Sequence, residues 1–575
     1  MKDILKKLTK YKIQIMIIII FIFVQVIAEL FMPTIMADIV DVGITTGDTK
    51  YILFRGAIML GVALIGVVGA IIGGFFSSKV SSIFGCRLRN EIFEKVTRFS
   101  LDEFDEKGTA SFITRTTNDV TQIQQFVYIM LRMFLRAPIM CIGGIIMAVS
   151  KNAKLSIVFL LIVPLIALAI FIVAKLAFPL FNKMQKKLDR LNLVLREQLT
   201  GIRVIRAFNR SKYEKNKFKT ANEDLRDVAI KVNKLTAALM PVMMLIMNLT
   251  TVIIIWFGAI QIDNGNMQVG DLMAFVQYAM QILFSFIMVS MLFIMFPRAQ
   301  ASAKRINEVL SMEKKLEVKK EDNISKDIIS IEFENVDFRY KGAEEKALRN
   351  INLYAEKGDT IAIIGGTGAG KSTLINLIPR FYDIEKGKIK INNEDYRNYS
   401  VESIRKEIGY VPQKSVLFSG SVKENVVFGS KKDNSRVEEV IELSQSKEFV
   451  DNMSEKTETF IAQGGKNISG GQKQRLSIAR AIYKKPSIYL FDDSFSALDF
   501  KTDAKLRSAL KNEMQNSISF IVAQRVSTIM NFSKIVVLNE GEIVGMGKHK
   551  ELLKNCDVYK EIVNSQLSEE ELLNA

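Results

Sequence analysis

Six apolar segments, each close to the length of about 20 residues that crosses a bilayer core, constrain the fold of this chain most strongly. They lie near residues 13–36, 53–77, 126–149, 155–178, 237–260 and 272–297. The first segment is far longer than the apolar region of a secretory signal peptide, so we interpret it as a membrane span. The pattern predicts a six-span transmembrane domain over residues 1–310.

The distribution of basic residues predicts the side of the membrane on which each loop lies. Lys and Arg crowd the segments next to the apolar runs, as is typical of a cytoplasmic surface facing anionic lipid. This pattern accounts for the net charge of +17, so no nucleic acid is expected as a partner. With the N-terminus in the cytoplasm, the loops at 37–48 and 263–271 lie outside, although Lys151 and Lys154 run against the trend in another outer loop.

Two long connections on the cytoplasmic side separate spans two from three and four from five. Both look largely helical, so we expect the spans to continue into the cytoplasm and to meet at tips near 101–112 and 206–214. These two tips are candidate coupling contacts with a soluble domain.

Ionisable residues occur at or near membrane depth: Glu29 in span one, and Arg132 and Arg136 in span three. Such groups usually face a bundle interior or an aqueous cavity, but both arginines are ordinary if span three extends beyond the bilayer. The roles of all three stay open. Methionines along spans five and six suit either adaptable binding or helix packing.

The second half of the chain has a different composition. After a charged linker, residues 311–328, short strand-like and helix-like segments alternate over residues 329–575. Within them, TIAIIGGTGAGKSTLINLI reads as a strand, a glycine-rich loop and a helix, and residues 365–372 fit the phosphate-loop pattern G-x-x-x-x-G-K-[ST]. Backbone amides there are expected to hold the β- and γ-phosphates, with Lys371 adding a point charge and Ser372 ligating Mg²⁺.

We expect no metal site apart from the Mg²⁺ site. The chain has three scattered cysteines and one histidine, His549, which excludes a zinc-type cluster of Cys and His ligands.

Five companion motifs narrow the class of phosphate-loop protein. They are IGYVPQ ending at Gln413, NISGGQKQRLSIARA at 467–481, IYLFDD ending at Asp493, SALD ending at Asp499, and IVAQRVSTI containing Gln524. Their order and separations resemble the nucleotide-binding domain of an ATP-binding cassette (ABC) transporter, and SGGQ is specific to that family among phosphate-loop proteins. Six spans followed by one such domain resemble a half-transporter with the type I exporter fold.

The resemblance covers essentially the whole chain and implies a fold class. It is an α-helical six-span transmembrane domain plus an α/β P-loop nucleotide-binding domain, with a RecA-like core and an α-helical subdomain.

The resemblance also implies a role for each motif, with ATP and Mg²⁺ as cofactors. The implied nucleotide-binding residues are Tyr340, Gly365, Gly366, Thr367, Gly368, Ala369, Gly370, Lys371, Ser372, Thr373 and Gln413. Tyr340 would stack on adenine, although an ordinary strand tyrosine is the alternative. The implied metal-site residues are Ser372, Gln413 and Asp492, the last through water. The signature residues Ser469, Gly470, Gly471 and Gln472 would contact the γ-phosphate of a nucleotide held by a second subunit, and Asp499 would lie at that dimer interface.

Two positions depart from the pattern of active members. Asp493 stands where they carry the Glu that orients and deprotonates the attacking water, and Gln524 stands where they carry a His that links the γ-phosphate to the catalytic groups. Asp is one methylene shorter than Glu, and Gln cannot carry a proton. General-base assistance worth roughly 10²–10⁴-fold is therefore at risk, whereas the phosphate loop and the signature are intact.

An intact signature beside a weakened catalytic pair predicts one subunit of a heterodimeric ATP-driven exporter in the plasma membrane. Its partner would be a non-identical half-transporter with Glu and His at the matching positions, and its cargo amphipathic drugs, lipids or peptides. The stretch AQGG, at 462–465 just before the signature, replaces a segment in which many exporters carry Glu. The alternatives are a homodimer with two slow sites and a nucleotide-gated regulatory membrane protein that transports nothing.

Overall fold

The computed structural model describes residues 1–312, 327–431, 433–496 and 498–566. Two compact units are present: residues 1–97 with 110–312, and residues 98–109 with the described residues from 327 onward. Most of the predicted linker, 311–328, lies outside the described residues.

Residues 1–312 are almost entirely helical. The α-helices are α1 (Lys2–Lys6), α2 (Lys12–Asp38), α3 (Thr49–Thr97), α4 (Leu101–Lys107), α5 (Thr109–Thr114), α6 (Val120–Ile129), α7 (Leu135–Lys151), α8 (Ile157–Thr200), α9 (Ile202–Ala207), α10 (Ser211–Asp263) and α11 (Val269–Ser311). A 3₁₀ turn, Lys7–Tyr11, and three π-helical turns, Ile39–Ile44, Arg115–Asp119 and Met130–Phe134, continue neighbouring helices.

Six helical stretches in the described residues are long and apolar enough to cross a membrane, which confirms the six predicted spans. They are Lys2–Ile44, Thr49–Thr97, Thr109–Lys151, Ile157–Thr200, Ser211–Asp263 and Val269–Val289. The first five contain 43 to 53 residues, about twice the number that a bilayer core requires. Each of these five therefore continues well beyond the bilayer.

Polar contacts join the helix ends that the charge pattern assigns to the outer surface. Lys151, at the end of α7, pairs with Asp271 at the start of α11 with Nζ and Oδ1 2.7 Å apart. The carboxylate of Asp41 accepts from the backbone amides of Gly270 (2.6 Å) and Asp271 (3.1 Å). Lys151 is thus an ion-pair partner on this side, which explains how a lysine is accommodated in an outer loop.

The second unit is built on β-sheets. Its strands are β1 (Ser330–Phe338), β2 (Leu348–Glu356), β3 (Thr360–Gly365), β4 (Lys386–Ile391), β5 (Glu394–Asp395), β6 (Ile408–Val411), β7 (Gly420–Ser421), β8 (Phe460–Ile461), β9 (Ile488–Asp492), β10 (Ile518–Val522), β11 (Lys534–Asn539) and β12 (Glu542–Gly547). Within the described residues they form an antiparallel sheet ordered β2-β1-β4-β5, a six-stranded sheet ordered β12-β11-β3-β10-β9-β6, and the pair β7-β8.

Helices surround these sheets. They are α12 (Lys371–Leu377), α13 (Val401–Lys406), α14 (Val422–Val427), α15 (Asn434–Leu443), α16 (Lys447–Asp451), α17 (Gly470–Tyr483), α18 (Phe500–Met514), α19 (Val526–Ile529), α20 (His549–Asn555) and α21 (Asp557–Asn564). Helices α14 to α17 pack on one another in a cluster centred on Val426, Val440 and Leu476, all fully buried. This cluster is the helical subdomain that the resemblance implied.

The six-stranded sheet brings the motifs together. Strands β11, β3, β10, β9 and β6 pair in parallel, and only β12 is antiparallel. β9 and β10 are buried along their whole length, as expected for short, mainly apolar strands inside a parallel sheet. The carboxyl ends of parallel strands lie along one edge, so the loops after β3, β6, β9 and β10 converge there.

Candidate active site

The phosphate loop connects the end of β3 to the start of α12 and is shaped by glycine at two positions. A Cβ on Gly365 would lie 2.1 Å from the carbonyl oxygen of Leu538. Gly370 has a φ of +97°, and its Cβ would lie 2.8 Å from the carbonyl oxygen of Ala347. A side chain at either position would push the loop off its neighbours, which explains the need for glycine there.

The two charged or polar side chains at the start of α12 have defined partners. Lys371 Nζ donates to the carbonyl oxygens of Gly365 (2.8 Å) and Gly366 (2.7 Å). Ser372 Oγ donates to Asp492 Oδ1 at 2.8 Å. Burial lowers the pKa of Lys371, while the nearby charges of Asp493 and Asp492 oppose that effect.

These residues fit the nucleotide and the metal that the sequence implies. The Ser372 hydroxyl and the Asp492 carboxylate supply adjacent hard oxygen atoms, the ligand chemistry that Mg²⁺ prefers. The loop is open beside Gly366, where an added Cβ would meet no atom within 4 Å among the described residues. Bound Mg²⁺ would neutralise charge on the phosphates, with Ser372 and Asp492 holding it and Lys371 facing the same charge.

The predicted water-activating residues lie together beside this acidic end of β9. Gln524 Nε2, from the loop after β10, donates to Asp493 Oδ2 at 2.7 Å. Gln413 Nε2, from the loop after β6, lies 3.4 Å from the same oxygen. One carboxylate oxygen of Asp493 therefore lies within reach of two amide groups. Gln524, expected at the His position, is bonded directly to Asp493, expected at the Glu position.

The backbone and the surroundings of Asp493 are both unusual. Its φ is +49°, in the left-handed region that Asp and Asn tolerate better than most other residues. Burial raises the pKa of its carboxyl group, and hydrogen bonds from Gln413 and Ser496 and the charge of Lys371 oppose the rise. Burial likewise raises the pKa of Asp492, opposed by the hydrogen bond from Ser372.

Tyr340 lies at the edge of the phosphate loop. Its hydroxyl is 3.0 Å from Thr373 Oγ1, and its ring meets those of Phe338 and Tyr382 edge-on, with centroids 4.9 and 5.3 Å away. The ring is thus held beside the loop, at a place consistent with stacking on a nucleobase.

The signature residues begin helix α17. Ser469 accepts from the amide of Gln472 (3.3 Å), and the Gln472 side chain accepts from the amide of Ser469 (2.9 Å), forming a capping box. Ser469 and Gly470 are exposed. Among the described residues, no hydrogen bond joins the signature to the phosphate loop of the same chain.

Asp499 also caps a helix. Its carboxylate accepts from the Thr502 amide at the start of α18, 2.9 Å away. That amide lowers the pKa of Asp499, and the side chain is exposed. The residue is therefore charged and accessible, and it has a local structural role beside the interface role that the resemblance implies.

A contact that sequence reasoning did not resolve joins α4 to the sheet region within the second unit. Tyr382 Oη donates to Asp105 Oδ2 at 2.8 Å, and the Leu101 amide donates to the Phe381 carbonyl oxygen at 3.2 Å. Lys341 pairs with Glu106 and, with help from Lys107, lowers the pKa of Glu106 to about 2. The acidic run LDEFDEK marked the tip, but nothing in the sequence named its partners.

The same tyrosine links this contact to the nucleotide site. Tyr382 packs against Tyr340 and binds Asp105, so one side chain touches both the predicted adenine residue and α4. The other predicted tip, 206–214, joins α9 to α10 in the first unit, and Phe208, directly after α9, is exposed.

Comparison with known proteins identifies both halves of the chain. Residues 15–295 match the model of the ABC transporter transmembrane region, and residues 348–496 match the ABC transporter model. An uncharacterized ABC transporter ATP-binding protein of Mycobacterium tuberculosis is 41% identical over 94% of each chain. The chain belongs to the ABC transporter family.

Two further matches support that conclusion at different levels. An ATP-dependent lipid A-core flippase of Desulfotalea psychrophila is 34% identical over 83% of this chain and 84% of the relative. A solved structure of a bacterial Atm1-family ABC exporter with ATP bound has a TM-score of 0.82 at 22% identity, covering 98% of this ABC transporter and 99% of that chain. At that identity the structural match shows the fold, which is the exporter fold.

The family fixes the general activity and location. This ABC transporter is an ATP-driven, multi-pass membrane protein whose nucleotide-binding domain lies in the cytoplasm. One site brings together Lys371, Ser372, Asp492, Asp493, Gln413 and Gln524. Ser469 and Gly470 of the signature are exposed.

Proposed function

We propose that this chain is one subunit of a heterodimeric ABC exporter, with a catalytically weakened site of its own and a signature that completes the site of its partner. The observation that carries the proposal is the 2.7 Å hydrogen bond from Gln524 to Asp493 beside an intact phosphate loop. ATP and Mg²⁺ bind at this site, but water is activated poorly.

The geometry of the pair supports slow hydrolysis. Asp493 Oδ2 already receives the amide groups of Gln524 and Gln413, and neither amide can relay a proton. A general base must reach the water that it deprotonates, and errors of about 1 Å cost on the order of 10²-fold. A short carboxylate held by two amides is poorly suited to that task.

The signature supports the second half of the proposal. The capping box fixes the start of α17, and Ser469 and Gly470 are accessible to another subunit. A partner with Glu and His at the positions of Asp493 and Gln524 would supply the active phosphate loop, so that one of two sites hydrolyses ATP rapidly.

The proposed cargo is an amphipathic molecule: a drug, a lipid or a peptide. The relative named as a lipid A-core flippase, 34% identical, makes a lipid-like cargo reasonable. Export would follow from ATP-driven closure of the two cassettes, transmitted in part through the contact between Tyr382 and Asp105.

Purification of the affinity-tagged chain from its native membrane tests subunit composition. We expect a 1:1 complex with a second, larger or smaller half-transporter, measured by native mass spectrometry. A complex containing two copies of this chain alone would contradict the heterodimer and favour the homodimer with two slow sites.

Transport by the same complex, reconstituted in inside-out vesicles, tests the exporter assignment. ATP-dependent accumulation of an amphipathic dye is expected, and it should be absent when Lys371→Ala is combined with the matching change in the partner. ATP binding without accumulation of dyes, lipids or peptides would favour the regulatory alternative.

A further inference from the structure

A cavity of about 280 Å³ lies inside the transmembrane unit, between the helices of spans one, three and six. Its lining residues are Glu29, Arg136, Met140, Gln277, Met280, Gln281, Phe284, Ser285 and Met288. Polar groups form one part of this lining, and methionine and phenylalanine side chains form another. A cavity of this size is close to the lower end of the range of about 300–1,000 Å³ for small-molecule sites.

Three helices place the polar part within the membrane interior. Arg136 lies fifteen residues before Lys151, Gln281 ten residues after Asp271, and Glu29 nine residues before the end of α2. At 1.5 Å per residue these separations are about 14–22 Å from the outer ends. The cavity is therefore near the middle of a bilayer core about 30 Å thick.

An ion pair dominates the polar part. Arg136 Nη2 donates to both carboxylate oxygens of Glu29, at 2.6 and 2.9 Å. Gln281 Nε2 donates to the backbone carbonyl oxygen of Glu29 at 3.2 Å. The pair carries no net charge. The attraction between its two groups offsets part of the free energy that is needed to place ionised side chains at this depth.

Two buried polar atoms of the lining residues have no hydrogen-bond partner among the described residues. They are Arg136 Nε, a donor, and Gln281 Oε1, an acceptor. Such atoms are uncommon in folded proteins because burial without a partner is unfavourable. The two residues that carry these atoms also line the cavity. A rotation of either side chain would turn its free donor or acceptor toward a bound molecule.

We propose that this cavity, here called the Glu29–Arg136 pocket, is a substrate subsite for the net-neutral polar head of an amphiphile. The head carries an acceptor for Arg136 Nε and a donor for Gln281 Oε1, as a primary or secondary amide does. The alkyl part lies against Met140, Met280, Met288 and Phe284, since methionine adapts to irregular apolar shapes.

The charge balance explains the preference for a neutral head. A carboxylate head would compete with Glu29 for Arg136, and an ammonium head would compete with Arg136 for Glu29. Either would leave one half-buried charge without its ionic partner, which is unfavourable at membrane depth. The inference rests on the proposed transport of amphipathic cargo and identifies the chemistry of that cargo.

Equilibrium binding to the full complex in lipid nanodiscs tests the proposal, with empty nanodiscs correcting for partition into lipid. The probes are dodecanamide, dodecanoate and dodecylammonium, which share a chain length and differ in the head. Dodecanamide is expected to bind about tenfold more tightly than either charged probe, the effect of hydrogen bonds to a charged group. Equal binding of all three probes would overturn the proposal.

Charge variants give opposite shifts. Glu29→Gln leaves a net positive pocket, so the preference should move toward dodecanoate, and Arg136→Gln leaves a net negative pocket, so it should move toward dodecylammonium. Arg132→Gln is the matched control, because Arg132 carries the same charge one turn away, bonds Tyr128 at 2.8 Å, and does not line the pocket. Identical preferences in the wild type and both folded pocket variants would contradict a binding role.

Gln281→Leu covers the case in which a charge variant does not fold. It removes the free acceptor without changing charge, and we expect dodecanamide binding to weaken about fivefold, with little change for dodecanoate. Unchanged dodecanamide binding would overturn the subsite. Because these assays measure binding without ATP, failure of the subsite is distinguishable from failure of the exporter proposal, which the transport assay measures.

Discussion

The phosphate-binding side and the water-activating side of one nucleotide site differ in what their side chains can do. Lys371, Ser372 and Asp492 on the first side have the residue types and contacts that bind phosphates and Mg²⁺. Asp493 and Gln524 on the second side are bonded to each other, and we propose that a carboxylate shorter than Glu and an amide in place of His activate water poorly.

The difference shows that binding and hydrolysis place separate demands on the same loops. Binding depends on charge and on backbone shape, which two glycines and a lysine supply. Hydrolysis depends on the position of one carboxylate relative to one water, which a single methylene changes. A site can therefore retain ATP while its chemistry is slow.

Removal of the positive charge of Lys371 should give the largest effect, which is a loss of ATP affinity. Lys371→Ala is expected to weaken ATP binding by about 100-fold, because a charge-assisted contact to the phosphates is lost. Titration with a fluorescent ATP analogue measures it, and Lys511→Ala, a change at an exposed lysine of α18, is the control. If the ATP affinity of Lys371→Ala were unchanged, the phosphate-binding side would not differ from the water-activating side in the way described.

A change in the signature should affect the other subunit. Ser469→Ala in the complex is expected to lower steady-state hydrolysis by about 10–100-fold, by loss of one donor to the transition state, while ATP affinity at this chain's own loop is unchanged.

Asp433→Ala provides a matched control for the loss of a helix cap. Asp433 caps α15 through the amides of Ser435 and Arg436, so it should destabilise the chain similarly but leave the rate nearly unaffected. Equal losses of rate in both variants would show that capping, not contact with nucleotide, explains the effect of Ser469→Ala.

The left-handed backbone of Asp493 predicts a stability cost for the consensus residue. Asp493→Glu is expected to lower the free energy of unfolding by about 1 kcal/mol, because Glu populates positive φ less readily than Asp. Urea denaturation followed by circular dichroism measures the change. If the Asp493→Glu variant and the wild type had equal free energies of unfolding, the backbone conformation would not favour aspartate at this position.

Neutralisation of the Asp493 carboxylate should give a small, pH-dependent gain in thermal stability. Because burial raises the pKa of Asp493 in the folded state, ionisation destabilises the fold as pH rises through that raised value. Asp493→Asn should therefore raise Tm by on the order of 1–2 °C at neutral pH, and the difference should shrink as pH falls. Thermal scans at several pH values measure this, and a difference that grows at low pH would contradict the sign.

Much of the architecture could be predicted from the sequence because it depends on local patterns. Runs of about 20 apolar residues predict the six spans, and the spacing from Gly365 to Ser372 predicts a strand, a loop and a helix. The grouping of Gln413, Asp492 and Gln524 was implied by the resemblance of their motifs to an ABC nucleotide-binding domain.

The remaining features depend on contacts between residues far apart in the chain. The φ of Asp493 is set by the turn after β9, the pairing of Glu29 with Arg136 by the packing of spans one and three, and the partners of α4 by the surface around Tyr382. No periodicity or spacing carries that information. The arginines illustrate this: Arg136 lines a cavity, whereas Arg132 is exposed beside Tyr128.

Single-turnover ATP hydrolysis by the purified chain, with and without its partner, tests the central claim most directly. The wild type is compared with the double substitution Asp493→Glu with Gln524→His. We expect the wild-type chain alone to bind ATP and hydrolyse it slowly, and the double substitution to raise the rate by about 10²-fold or more, the share attributed to general-base catalysis. Rapid turnover by the unmodified chain alone, unchanged by the substitution, would contradict the account, because Asp493 and Gln524 would then be adequate catalysts.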